Sequence, residues 1–185
     1  MSITVRFVLL ACVVVYFSQA RDILAQTQMD EAKGDERGLV IGTFDSRAVA
    51  TAYMRSDKFN ATMNELKRDY REAKAAGDRE RATDLEKKGM TMQNLGHRQA
   101  FGDAPIPNVL TEIEDELADV AEQAGVDVMI SKWRIAYEGP NARYIDVTDK
   151  LVTLFDPDDE TLDVIEQLKA IDPRPADELN SHDHQ

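Results

Sequence analysis

The sequence predicts an α+β protein, mainly α, in which a small core of short β-strands carries a projecting antiparallel helical hairpin. Three observations lead there. Short β-prone runs lie on both sides of a long charged stretch. Within that stretch, apolar residues recur in alternating steps of four and three. A Gly-Asp pair divides the stretch near its middle, suited to ending one helix and starting another.

Residues 1–20 are set apart from the fold. A short segment with one positive charge leads into FVLLACVVVYF, and Ser18-Gln19-Ala20 puts small residues at a small-x-small cleavage position. The apolar run is well short of the ~20 residues of a spanning helix. The expectation is a secretory signal peptide cleaved near Ala20 and a periplasmic location, with an uncleaved anchor as the alternative. Leu9-Leu10-Ala11-Cys12 loosely resembles a lipoprotein cleavage box, but the apolar run continues past the cysteine to Phe17, which argues against lipidation. Cys12 is the only cysteine, so cleavage would leave a chain without disulfide or thiol chemistry. Residues 21–37 are polar and aperiodic, a flexible leader.

Order is expected from residue 38. Leu39–Phe44 is β-prone, and Asp45-Ser46 can cap a helix starting near Arg47. Phe59, Met63, Leu66, Tyr70 and Ala73 form a coiled-coil seam, and Ala82, Leu85, Gly89, Met92 and Gly96 form its partner. Gly77 and Asp78 turn the chain between them. The hairpin arms then cover about residues 56–100, each roughly 30 Å long at ~1.5 Å per residue. Pro105 and Pro107 interrupt the return helix, and Pro107 suits the first turn of the next. That helix places Leu110, Ile113, Leu117, Val120 and Ala124 on one face and ends at Gly125. Val126, Val128 and Ile130 alternate with Asp127 and Ser131 as a strand with one buried face, and Arg134–Tyr137 reads as a second strand. A turn at 138–141 and Tyr144-Ile145 lead to Asp146, which can cap a helix through Phe155. Residues 156–171 hold one more amphipathic helix with Leu162, Ile165 and Leu168. Residues 172–185 are expected to be a disordered tail.

The formal net charge of −13 makes nucleic acid and anionic surfaces poor partners. Charge is uneven: residues 55–98 hold 11 Lys/Arg against 8 Asp/Glu, a mildly basic arm on an acidic body. Catalysis finds little support. His97 sits on a charged helix with no neighbouring nucleophile, and no phosphate-cradling glycine loop is present. His182-Asp183-His184 lacks the surroundings of a metal site, and the carboxylates at 112–119 splay over several helical turns rather than a calcium loop. The expectation is a non-enzyme without cofactor or metal. Trp133, between Lys132 and Arg134, reads as a core or interface anchor.

Gly125-Val-Asp-Val-Met-Ile-Ser131, Ile135-Ala-Tyr137 and Tyr144-Ile-Asp-Val-Thr-Asp-Lys-Leu-Val152 together resemble the C-terminal core of Skp (OmpH-like) periplasmic chaperones, and Leu39–Tyr53 resembles their entry strand and helix. The likeness spans roughly residues 38–155, most strongly 107–152. It implies a homotrimer with a small central barrel, whose hairpins surround unfolded outer-membrane or envelope proteins without ATP. Val126, Val128, Ile130, Ile135 and Tyr137 would form the oligomer core. A holdase needs adaptable apolar contacts, for which Tyr53, Met54, Met90 and Phe101 are the candidates; Arg68, Arg71 and Lys74 supply charge. The arms are shorter and the body more acidic than is usual in that family. The alternative is a coiled-coil envelope adaptor making fixed protein–protein contacts.

Overall fold

The computed structural model describes residues 38–175 and 178–180. The expected signal peptide, leader and last tail residues lie outside these. The described chain is mainly helical with one small sheet. It runs through β1 (Val40–Phe44), α1 (Ser46–Arg55), α2 (Asp57–Ala76), α3 (Arg79–Phe101), α4 (Pro107–Thr111), α5 (Leu117–Ala124), β2 (Val128–Ser131), β3 (Arg143–Asp146), α6 (Thr148–Thr153) and α7 (Asp159–Lys169). Among the described residues no helix is long and apolar enough to cross a membrane.

The sheet has the order β2-β1-β3, and both outer strands run parallel to β1. This corrects the expected pairing of two neighbouring strands. Residues 132–134 instead form a 3₁₀ turn, and β2 and β3 pair on opposite sides of β1. Parallel pairing needs a crossover, so its partners are distant in sequence and leave no local signal.

Paired residues of parallel strands share a face. One face carries Val40, Phe44 and Met129, which pack into the core with Val49, Ile113, Val120, Leu151 and Ile165. The opposite face carries Ile41, Thr43, Val128, Ile130 and Tyr144, none of them part of that core. Val126 and Val128 do not share a face as expected. The amide of Val126 caps α5 by donating to the Ala121 carbonyl, and its side chain turns inward against Gly42. Val128 instead stands 47% exposed beside Ile41.

The hairpin forms as its seam predicts. All ten seam residues are buried or half-buried, with charged residues filling the faces between. Ser56 and Asp78 cap the two arms, and Gly77 turns between them at φ 73°, a left-handed conformation that favours glycine. Leu66, Ala73 and Ala82 are buried yet lie outside the main core, so among the described residues the outer arms are held by each other. The helix expected at 107–124 is broken at residues 112–116, though its apolar face still packs inward. Thr161 is buried where Leu162 was expected; Leu162 is 39% exposed.

The described part of the expected disordered tail is structured. Arg174 donates its amide to the Phe101 carbonyl, and Glu178–Asn180 form a 3₁₀ turn. The last carbonyls of a helix lack partners within it, so the returning chain satisfies one that solvent would otherwise take.

Candidate functional site

Two features stand out: an apolar trough at the base of the hairpin, and a buried ion cluster at the C-terminal ends of β1 and β2.

The trough lies between α1, α2, α3 and α7 and encloses about 500 Å³. Its depth follows from a glycine. A Cβ at position 96 would sit 2.5 Å from the Met54 sulfur, so only glycine lets Met54 lie against the backbone of α3. Met63 and Met92 line the sides, and Val164 and Leu168 of α7 form the far wall. Three methionines give walls that adapt to different shapes. Phe101, 49% exposed and in ring contact with His97 at 5.7 Å, forms a lip.

Polar residues also line the trough, among them Gln93 and His97. Thr51 is 4% exposed, and its Oγ1 has no hydrogen-bond partner among the described residues. Arg55 is held at the rim by Glu160 at 2.6 Å and the Thr161 hydroxyl at 2.9 Å. Lys67 lines the arm side. Arg71 and Lys74 follow it at helical spacing, so the three cations form one stripe running up α2. The Tyr70 side chain raises the Lys74 pKa above its ordinary value.

The ion cluster centres on Asp45, 1% exposed. Its Oδ1 accepts from the Arg47 backbone amide, Arg47 Nε and Trp133 Nε1. Its Oδ2 accepts from Arg47 Nη2 and Lys132 Nζ, both at 3.0 Å. Trp133 stacks against both cations, with Arg47 4.8 Å and Lys132 4.5 Å from the ring centre. Burial works to raise the Asp45 pKa. The hydrogen bonds from Arg47, Lys132 and Trp133 outweigh it and bring the pKa down to about 2. With both oxygens fully engaged, the carboxylate is a structural anchor between β1, α1 and the end of β2.

Beside β2 lies a second cavity of about 480 Å³, apolar along Phe44, Ile106, Leu110 and Met129, with Arg134 at its polar end.

The sequence candidates separate accordingly. Met54 and Phe101 meet in the trough. Tyr53 belongs to the core, in edge contact with Phe59 and Phe155, and is withdrawn from any surface. Met90 is 55% exposed but points away from the trough, which uses Met92 instead. Arg68 is occupied by Glu65, Asp69 and Glu72. Of the expected oligomer residues, Val126 is internal. Val128 and Tyr137 are exposed, and Ile130 and Ile135 half-buried. Sequence reasoning missed Thr51 and Lys67, whose roles depend on packing between distant helices. It assigned Asp45 only as a cap, which it also is. Among the described residues no cluster of side chains fits a metal ion.

Comparison with protein-family models, with curated proteins and with solved structures finds no match.

Proposed function

We propose that this chain is an exported, ATP-independent holdase of the Skp (OmpH-like) type, which assembles as a homotrimer and shields unfolded envelope or outer-membrane proteins between its arms. The observation that carries this is the sheet. A three-stranded parallel sheet with one apolar, half-exposed face is marginal alone, and the outer edges of β2 and β3 have no partner among the described strands. Joining β3 of one copy to β2 of the next would close a ring with Ile41, Val128, Ile130 and Tyr144 inside. The hairpin, held among the described residues by its own seam beyond Leu66, then has the form of a tentacle rather than a buried element. The acidic body disfavours nucleic acid as a partner. The reading assigns the chain no reaction and no cofactor.

Light scattering on the size-exclusion peak tests the assembly. A trimer is expected, with Val128→Glu giving folded monomers; a monomeric parent chain refutes the ring. Aggregation assays test the activity. A holdase keeps several unrelated unfolded β-barrel proteins soluble near equimolar ratio. Retention of one folded partner, with no suppression, identifies an adaptor instead.

A further inference from the structure

We infer that the trough and the cation stripe above it form one two-part site, taking a segment of unfolded chain in which an apolar cluster is followed by acidic residues. This deepens the holdase reading and rests on it for the source of the segment. The trough supplies the apolar half: an adaptable methionine wall around a cavity of about 500 Å³, within the range of sites that enclose several side chains.

Charge complementarity sets the second half. Lys67, Arg71 and Lys74 lead from the trough up α2, and none of them makes a salt bridge among the described residues. Their neighbour Arg68, on an adjoining face, is paired three times over, so α2 presents one neutralised side and one cationic side. Lys74 rests over the Tyr70 ring at 5.2 Å, and Glu86 across the hairpin reaches it electrostatically without closing a salt bridge. On a chain of net charge −13, this stripe is where an acidic segment is drawn rather than repelled.

The test uses the full chain and two short labelled peptides, both apolar in the first half, with glutamates in the second half of one and lysines in the other. Fluorescence anisotropy should show the glutamate peptide binding roughly tenfold more tightly, with the advantage shrinking as salt is added. Lys67→Glu combined with Arg71→Glu and Lys74→Glu, all on the exposed arm, should reverse the preference. Val164→Trp, which narrows the trough from its far wall, should weaken both peptides alike. Equal binding of the two peptides, or a triple variant that keeps the parent's preference, overturns the site. The holdase reading is judged separately: charge-selective peptide binding without suppression of client aggregation keeps the site and removes the chaperone. Suppression that survives both the triple variant and Val164→Trp does the reverse.

Discussion

Replacing Asp45 with asparagine removes one charge from a buried cluster and leaves its partners in place. Arg47 is 1% exposed and cannot reach solvent, so the variant holds an uncompensated guanidinium in the core. Breaking a buried pair in this way costs about 3–5 kcal/mol. The pH dependence gives a second, independent figure. Asp45 titrates at about 2 against an ordinary 3.8, and each pH unit of difference corresponds to about 1.4 kcal/mol, so its ionised form contributes about 2 kcal/mol of stability. A carboxyl with a depressed folded pKa contributes fully above its unfolded value and loses that contribution as pH falls through the folded one. The stability gap between parent and Asp45→Asn should therefore be widest above pH 4 and shrink by about 2 kcal/mol on approach to pH 2. Urea titrations across that range measure both quantities. Asp45→Asn combined with Arg47→Met removes the orphaned cation while keeping the cap on α1 and an acceptor for Trp133, and should recover most of the loss, because Lys132, a third exposed, can turn outward. An Asp45→Asn variant within 1 kcal/mol of the parent, or a gap that does not vary with pH, would refute the account of a buried and fully engaged carboxylate.

Other substitutions probe the hairpin and its base. Thr51→Val replaces an unpartnered hydroxyl by a methyl and should stabilise the protein by about 1 kcal/mol, raising the melting temperature; a loss would show that the hydroxyl has a partner after all. Gly89→Ala should also stabilise by up to ~1 kcal/mol in thermal or urea unfolding, since its new Cβ meets Leu66 at an ordinary 3.5 Å. Gly96→Ala should not show that gain, because the same atom would meet the Met54 sulfur at 2.5 Å and push it into the trough. Gly102→Ala should loosen the C-terminal segment, where a Cβ would fall 3.0 Å from the Arg174 carbonyl and 2.9 Å from Leu179; faster amide exchange at Arg174 is the readout.

The parts legible in sequence were those whose information is local. The seam from Phe59 to Ala73, the Gly77-Asp78 turn, the Asp45 cap and the helix end at Gly125 all follow from neighbours within a few residues, and each is found in place. The sheet was legible only in part. Val126 and Val128 have the same parity and opposite fates, because the end of α5 uses Val126 before the strand begins. Residues 134–137 have strand composition, but Trp133 is held by Asp45 and residues 132–134 coil into a 3₁₀ turn just before them. Of the candidate site, Met54 and Phe101 were readable as adaptable apolar residues. The trough itself was not, since Gly96 meets Met54 and α7 closes the far wall only through the tertiary fold.

The boundary between core and arm has a consequence for reach. Because packing onto the body reaches Phe59 on one arm and Gly96 on the other, the described residues beyond Leu66 form a repeating ladder whose rungs pack on each other. Removing or adding one heptad in each arm together would keep the seam in phase and carry the Gly77-Asp78 tip inward or outward by about 10 Å. Length is thus a free variable, adjustable by paired insertion or deletion without repacking the sheet.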